Sequence, residues 1–328
     1  MRERVLITGA SGFLGYHIIV ASLEKDLRVY AAVRKKSNVE HLKELAISYV
    51  YLDYDDVADI SKQLAQNKID YIIHAAGDTK ALTQQAYDRV NATYTLHLAQ
   101  AAEKLGSQIK KMAFISSLAA IGPLEESDGK ITEATSPRPV TAYGRSKLLA
   151  ENYLAKISIP TTILRPTAVY GPRDRNIFII IRMVTKGLDA YMGRTKQQLS
   201  FVHGKDVADV AVGSLFLPDA VGGYNITDGN SYTRYQLSDT VKGILKRKAV
   251  RLHLPMFMIR MIAFFLETAN GWLKKPSVLS REKLRELAAK NWICDISKAR
   301  NELAFQPKFD LQKGMEDSME WYIRNKWL

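Results

Sequence analysis

Three side chains able to relay a proton, Ser117, Tyr143 and Lys147, lie in one stretch of the chain. Tyr143 and Lys147 are four residues apart, so on a helix both project from the same face. A phenol at its reference pKa of about 10 is a poor proton relay at neutral pH, and a nearby ammonium favours the phenolate. Ser117 follows an apolar run, at the sheet edge where open α/β sheets bind ligands. The pattern predicts that Tyr143 exchanges a proton with a carbonyl or hydroxyl oxygen, while Lys147 tunes the phenol and Ser117 orients that oxygen.

A glycine-rich turn, TGASGFLG, begins at Thr8 and separates the first apolar run from a helical pattern. In such a turn Gly9 permits the tight bend, Gly12 lets the backbone approach a pyrophosphate, and Gly15 permits close packing of the helix on the strand. The start of the helix then offers free N–H groups to the phosphates. The turn therefore predicts a dinucleotide cofactor, held by Gly9, Ser11, Gly12, Phe13, Leu14 and Gly15.

The end of the second apolar run favours one nicotinamide cofactor over the other. An NAD site places Asp or Glu at this point to bind the ribose 2′-hydroxyl. Here the chain reads VRKKS from Val33, so a carboxylate is missing and the cations Arg34 and Lys35 stand in its place. A guanidinium binds a phosphate through two parallel hydrogen bonds. NADP(H) is favoured on these grounds, and NAD(H) stays possible.

The elements that must position these residues alternate regularly in the first half of the chain. Short continuous apolar runs between helical patterns indicate strands that are buried on both faces, hence a parallel sheet covered by helices. We predict an α/β fold with a Rossmann-type doubly wound parallel sheet. The predicted strands are residues 5–7, 27–33, 48–52, 69–74, 109–116 and 159–164, and the predicted helices include 13–24, 91–104 and 142–156.

The second half of the chain is less regular. A helix is predicted over residues 177–184 and a further strand of the sheet at 224–226, after which helical patterns dominate. The chain is thus predicted to leave the sheet domain and return to it. We predict a cofactor-binding domain at 1–172 and about 200–230, and a smaller, mostly helical substrate lobe at about 173–199 and 231–328.

The amino-acid composition limits the classes of molecule that the protein is expected to bind. The 328 residues carry a formal charge of +13 and a single cysteine, Cys294, which excludes a disulfide framework and fits a reducing compartment. The basic clusters lack the motif context of a nucleic-acid module, so no nucleic-acid partner is expected. MRERVLITG contains no signal-peptide region, so a cytoplasmic location is predicted. The apolar stretch 256–266 is too short to span a bilayer; it is interpreted as core, as the roof of an apolar substrate pocket, or as a surface that lies on a membrane.

Motifs along nearly the whole chain resemble those of the extended short-chain dehydrogenases/reductases. Besides the glycine turn, they are YLDYDD, HAAG from His74, VNAT, FISSLAAIG, YGRSK, LRPTAVYGP, FVHGKDVA and the tail segment CDISKARNELAFQP. The resemblance implies a catalytic triad of Ser117, Tyr143 and Lys147, with Lys147 also on the nicotinamide ribose. It further implies a homodimer. The other cofactor residues that it implies are Asp53 at the adenine, Ala75, Ala76 and Gly77 in the cleft, Pro166 and Val169 near the nicotinamide, and Asn91, whose role is structural as much as functional.

Two departures separate the chain from the nucleotide-sugar enzymes of that family. Ser117 is followed by Leu118 and Ala119 rather than by the acidic pair of the dehydratases, and Ala168 stands where many epimerases and dehydratases have Asn. RPTAVYGP and VRKKSN are more similar to the dihydroflavonol reductase and 3β-hydroxysteroid dehydrogenase branch. The expected activity is NADP(H)-dependent interconversion of a ketone or aldehyde with an alcohol on a hydrophobic small molecule. A nucleotide-sugar epimerase or dehydratase is the alternative, and a non-catalytic cofactor sensor is a third, against which the complete triad argues.

Overall fold

A computed structural model describes residues 2–261, 264 and 281–328 and contains a seven-stranded parallel sheet at its centre. The strands of this sheet are β1 (Arg4–Thr8), β2 (Arg28–Ala32), β3 (Ile47–Val50), β4 (Tyr71–His74), β5 (Lys111–Ile115), β6 (Thr161–Pro166) and β11 (Gly222–Ile226). Shorter strands are β7 (Ala168–Tyr170), β8 (Leu188–Met192), β9 (Gln198–Leu199), β10 (Phe201–His203), β12 (Tyr232–Thr233) and β13 (Val250–Leu254).

The helices surround this sheet and build the region above its carboxyl edge. They are α1 (Phe13–Glu24), α2 (Val57–Gln66), α3 (Gln84–Asp88), α4 (Tyr94–Glu103), α5 (Ala142–Leu154), α6 (Asn176–Thr185), α7 (Gly204–Ser214), α8 (Gln236–Leu245), α9 (Arg281–Ala288), α10 (Ser297–Glu302) and α11 (Leu311–Arg324). Short 3₁₀ turns lie at Glu40–Leu42, Gly106–Gln108 and Leu118–Ala120, and a π turn lies at Arg89–Thr93.

The strand order β3-β2-β1-β4-β5-β6-β11 confirms the predicted Rossmann-type sheet. The order reverses between β1 and β4, and in such sheets ligands bind at the carboxyl ends of the strands on either side of this switch point. Alternation along β1 sends Val5 and Ile7 into one hydrophobic core and Leu6 into the other. Helices α1 and α7 pack together, as do α2 and α4. The sheet is therefore buried on both faces, as its continuous apolar runs require.

Several predicted boundaries shift. The third strand ends at Val50 rather than residue 52, and the predicted helix 91–104 begins earlier, as α3, and runs through the π turn into α4. Residues 256–261 are helical, whereas 262, 263, 265 and 266 of the predicted apolar stretch lie outside the described residues.

The region above the carboxyl edge is built from small sheets as well as helices. Strand β8 pairs with β13 and β7 with β10, both in parallel, while β9 pairs with β12 in antiparallel. The chain returns to the main sheet through β11, which pairs with β6. The division into two domains stays a prediction. In the described part of the chain, no helix is both long and apolar enough to cross a membrane.

Candidate active site

The glycine turn between β1 and α1 leaves no room for a side chain at Gly9 or Gly15. Gly9 has φ +67°, and a Cβ built on it would lie 2.6 Å from the carbonyl oxygen of Ala75. A Cβ on Gly15 would lie 2.2 Å from the Gly9 oxygen. Gly12 is the N-cap of α1 and no side chain caps the helix there. The first N–H groups of α1 therefore stay available to an anion, as the predicted cofactor phosphates require.

The remaining residues of the turn pack inward. The Phe13 ring meets the His17 ring edge-on at 5.4 Å between centroids, and Leu14 packs against the core under the sheet. Ser11 is half-buried beside Gly12.

The basic turn after β2 is exposed. The N–H of Arg34 donates to the Ser37 hydroxyl, and the N–H of Ser37 donates to the Arg34 carbonyl, which closes the turn. The side chains of Arg34 and Lys35 make no ion pair with any described residue. Both cations stand at the carboxyl end of β2 and are available to an anionic ligand.

A buried histidine ties the end of β4 to β1. His74 Nδ1 lies 2.6 Å from the Thr8 hydroxyl and His74 Nε2 lies 2.9 Å from the Thr95 hydroxyl, while the N–H of Ala76 donates to Thr8. Burial lowers the pKa of His74 to about 3, so the ring is neutral at physiological pH. This network holds the loop Ala75–Gly77 against the glycine turn.

Asn91 lies in the π turn and fastens the same loop to α5. Its Oδ1 accepts from the N–H of Asp78, and its Nδ2 donates to the Asp78 carbonyl and to the Ser146 hydroxyl, at 2.7, 2.9 and 2.9 Å. Asn91 is fully buried. A π turn inside a helix often marks a functional site, and here it aims Asn91 at the loop beside Lys147. In the structure, the side-chain amide of Asn91 therefore positions the loop at Asp78 relative to α5.

Lys147 on α5 is buried beside the predicted cofactor loop. Its Nζ donates to the Ile115 carbonyl at 2.8 Å, lies 4.7 Å from the centroid of the Phe114 ring, and would be 3.3 Å from a Cβ on Gly77. Burial lowers the pKa of Lys147 to about 8, although the charge of Glu151 acts in the opposite direction. The ammonium of Lys147 therefore loses its proton near pH 8.

The pH dependence of stability should reveal this buried ammonium. Because unfolded lysine keeps its proton to higher pH than folded Lys147, the free energy of unfolding should rise between about pH 7.5 and 9.5, by about 1–2 kcal/mol from this group. Urea unfolding at both pH values measures the rise. In Lys147→Met the rise should be smaller by that amount, and an equal rise in both proteins would contradict the assignment. The rest of the rise in unfolding free energy comes from other groups such as Lys111, because burial lowers the pKa of Lys111 to about 8 as well.

Tyr143 lies at the first turn of α5, with its ring edge-on to Tyr87 at 6.4 Å between centroids. Burial raises the pKa of the Tyr143 phenol to about 12, while the neighbouring Ser117 side chain acts in the opposite direction. Desolvation is the largest contribution to the raised pKa of Tyr143. The expectation that Lys147, together with a bound oxidised nicotinamide, brings this pKa closer to neutral pH stays a prediction.

A buried ion pair between Glu151 and Arg165 links α5 to β6, and it was not predicted from the sequence. Both carboxylate oxygens of Glu151 accept from the Arg165 guanidinium at 2.7–3.1 Å, and Glu151 also accepts from the Ser116 hydroxyl. Glu151 follows Lys147 by four residues on the helix, so the signal was present in the spacing. The pair orients the face of α5 that carries Lys147.

The start of α5 is also held by α9. Glu282 accepts from the N–H of Ala142 at 2.5 Å and from the Arg145 guanidinium at 2.7 Å. A carboxylate at a helix N-terminus satisfies a free N–H and interacts favourably with the helix dipole. Glu286, one turn later on α9, contributes its charge to the raised pKa of Tyr143. No sequence pattern indicated that these segments meet.

A large apolar cavity opens at Ser117. Its volume is about 390 Å³ and its wall includes Ser117, Pro166 and Glu286. The Ser117 hydroxyl accepts from the N–H of Ala119 at 3.2 Å and begins the 3₁₀ turn. Most of the lining is aliphatic or aromatic: Leu118, Ala119, Ala168, Ile177, Ile180, Met183, Val184, Leu188, Ala190, Met192, Leu199, Phe201, Leu237, Leu287 and Trp292.

Two other predicted cofactor residues have different surroundings. Asp53 is exposed just beyond β3, and its carboxylate accepts from the N–H of Asp55 at 3.0 Å, so it closes a turn. Val169 in β7 packs against the hydrophobic core rather than on the cavity. The roles predicted for both residues stay predictions.

Known proteins resemble the chain over most of its length. A sequence model of the NAD dependent epimerase/dehydratase family matches residues 5–227. The chain is 27% identical over 349 residues to a decarboxylating sterol-4-alpha-carboxylate 3-dehydrogenase of Candida albicans, covering 97% of each. It is 25% identical over 329 residues to ceramide reductase of Caulobacter vibrioides, covering 100% of this chain and 96% of the relative. A putative dihydroflavonol 4-reductase of Synechocystis is 26% identical over 340 residues, with 98% and 95% covered.

A solved structure also shares the fold. UDP-glucose 4-epimerase of Thermotoga maritima, solved with UDP-glucose, superposes with a TM-score of 0.78 at 21% identity and covers 98% of this chain and 99% of its own. The resemblance to extended short-chain dehydrogenases/reductases drawn from the motifs is thus confirmed at the level of family and fold.

Proposed function

The chain belongs to the NAD dependent epimerase/dehydratase family of enzymes, and from that premise we propose that it is an NADP(H)-dependent oxidoreductase. Its substrate is a hydrophobic molecule with a ketone or aldehyde that is interconverted with an alcohol. The observation that carries this proposal is the apolar cavity of about 390 Å³ that ends at Ser117, beside the phenol of Tyr143. A cavity with so apolar a lining stabilises apolar ligands by removing their surface from water.

The cofactor is proposed to bind across the carboxyl edge of the sheet. The uncapped start of α1 takes the pyrophosphate, the loop Ala75–Gly77 lines the cleft, and Lys147 meets the nicotinamide ribose. The exposed Arg34 and Lys35 favour NADP(H), because their side chains can bind a 2′-phosphate. When bound, the nicotinamide supplies or accepts the hydride.

The side chains around Ser117 are proposed to handle the proton. Since burial keeps Tyr143 protonated at neutral pH, its phenol donates to the carbonyl oxygen during reduction. Ser117 holds that oxygen toward the phenol. Lys147 keeps a positive charge beside the cleft at neutral pH and thereby favours the phenolate that remains after the transfer.

The substrate class is supported by the relatives. Those named above act, by their names, on a sterol carboxylate, a ceramide and a dihydroflavonol, all bulky molecules with extensive apolar surface. The chain also matches a UDP-glucose 4-epimerase of Vibrio cholerae at 24% identity, which keeps a nucleotide sugar as the second candidate. The cytoplasmic location belongs to this proposal and is supported by the lone, buried Cys294. The homodimer stays a prediction.

Cofactor preference can be tested at the turn after β2. Arg34→Ser should raise the KM for NADPH about 10–100-fold and leave the KM for NADH nearly unchanged, because a charge-assisted hydrogen bond contributes about 1.5–3 kcal/mol. Steady-state kinetics with both cofactors measures the split. Lys156→Ser removes an exposed cation between α5 and β6, at the opposite edge of the sheet, and should change neither value. Equal effects on NADPH and NADH in Arg34→Ser would argue against a 2′-phosphate site.

A cofactor-consumption screen tests the proposed activity. NADPH and NADH oxidation is followed with long-chain ketones, aldehydes, steroid ketones, flavonoid ketones and nucleotide sugars. Consumption with one of the apolar classes supports the proposal. Conversion of a nucleotide sugar without added cofactor, by a protein that retains oxidised dinucleotide, favours the epimerase alternative instead.

A further inference from the structure

Between residues 250 and 261, all of which the structure describes, five large apolar side chains are exposed. Val250 and Leu252 lie on one face of β13, and Phe257, Met258 and Met261 lie on the helical residues that follow. Val250 is 72% exposed and Phe257 is 65% exposed. Ile259, in the same helical turn, points inward against Leu284, so the segment has an anchored face and an exposed face. We call these five exposed residues the apolar patch.

The apolar patch adjoins the wall of the substrate cavity. In the parallel pair of β13 with β8, Val250 lies opposite Leu188 and Leu252 lies opposite Ala190. Leu188 and Ala190 both line the cavity, and Leu188 is itself exposed. Ile180 on α6 also lines the cavity and is exposed. The cavity therefore reaches the protein surface beside the apolar patch.

Positive charge surrounds the apolar patch. Residues 236–264 contain one acidic residue, Asp239, and that carboxylate already binds Lys242 and Arg251. The exposed cations of this segment that make no ion pair with a described residue are Lys246, Arg247, Lys248 and Arg260. Exposed Lys186 lies beside them, because the next residue, Gly187, accepts from the N–H of Val250.

We propose that the apolar patch docks on the surface of an anionic lipid bilayer, with the mouth of the cavity facing the membrane. Exposed apolar side chains enter the interface, and the surrounding cations are attracted to anionic headgroups. A second copy of the chain fits this surface less well. A two-fold interface places the same patch on both subunits, so the cations of each copy would face those of the other.

The consequence for catalysis rests on the proposed function. An apolar substrate dissolved in the bilayer would enter the cavity past Leu188 and Ile180 without crossing water. Phe257 and Met261 do not line the cavity, so they contribute to docking and not to the reaction. Turnover of a membrane-dissolved substrate should therefore depend on the apolar patch, whereas turnover of a short, water-soluble analogue should not.

Vesicle binding tests the docking directly. Flotation with phosphatidylcholine vesicles, with and without phosphatidylglycerol, should show binding of the full chain that increases with the anionic lipid and decreases with added salt. The double variant Phe257→Ser/Met261→Ser should bind to the vesicles at least about tenfold more weakly, because two inserted apolar side chains are lost. Ile323→Ser removes an exposed aliphatic side chain from α11, and this control should bind like the wild type.

Three results would overturn the proposal. They are absence of wild-type binding to either kind of vesicle, equal binding of the double variant and the wild type, and a change of molar mass in the double variant by sedimentation, which would show that a second copy covers the patch. Failure of the proposed function looks different. Vesicle binding would still depend on the apolar patch, while no apolar carbonyl compound would be reduced.

Discussion

Replacing Tyr143 by phenylalanine is expected to lower kcat by about 10²–10⁴-fold, the usual contribution of a positioned proton donor. The substitution removes only the hydroxyl, and the ring can keep its edge-on contact with Tyr87. Because the phenol is proposed to act on the substrate oxygen rather than on the cofactor, the Kd for NADPH should stay within a few-fold of the wild-type value. Single-turnover kinetics and a fluorescence titration of NADPH measure the two quantities.

A matched control separates the loss of the proton donor from disturbance of the site. Tyr87→Phe removes the hydroxyl from the ring next to Tyr143, where it donates to the Thr79 carbonyl. It should leave kcat within a few-fold of wild type. A Tyr143→Phe enzyme with full turnover would remove Tyr143 from the mechanism, whatever the control shows.

Replacing Gly9 by alanine is expected to weaken cofactor binding about a hundredfold. The new Cβ would lie 2.6 Å from the Ala75 oxygen and 2.7 Å from the Ala76 nitrogen, at a φ of +67° that alanine rarely adopts. The glycine turn and the loop Ala75–Gly77 must therefore separate. Displacements of about 1 Å at such sites commonly cost about 10²-fold. Isothermal titration with NADPH measures the change, and thermal unfolding reports any loss of stability.

Two further variants keep this prediction open to test if Gly9→Ala does not fold. Gly12→Ala has an ordinary φ of −83° and adds a methyl where the pyrophosphate is proposed to approach, so it should fold and bind NADPH weakly. Gly213 lies in α7 and a Cβ there would have no neighbour within 4 Å. Gly213→Ala should bind normally and be slightly more stable. Tight NADPH binding by a folded Gly12→Ala would contradict the proposed pyrophosphate site at the start of α1.

The strands and the glycine turn between β1 and α1 could be predicted because their signals are local. Residues 69–74, which read IDYIIH, are mostly apolar and follow Lys68, and the observed strand β4 falls inside that range. Boundaries were less predictable. The strand predicted to end at residue 52 ends at Val50, and α3 was not predicted, because it is short and amphipathic patterning in five residues is weak.

The sequence alone determined which residue types stand at the carboxyl edge of the sheet. Local rules sufficed for this: a positive φ requires Gly9, continuous apolar runs require a buried sheet, and helical spacing brings Tyr143 and Lys147 onto one face. The environment of those residues depends on segments far away along the chain. Glu282 reaches the start of α5 across 140 residues.

The protonation states of Tyr143 and Lys147 also depend on tertiary structure. Spacing alone predicted that Tyr143 and Lys147 share a helix face, whereas desolvation raises the pKa of Tyr143 and lowers that of Lys147. Desolvation depends on every chain segment packed around a group, so no local pattern contains it. The cavity at Ser117 likewise takes its wall from α6, β8, α8 and α9, which come together only when the chain has folded.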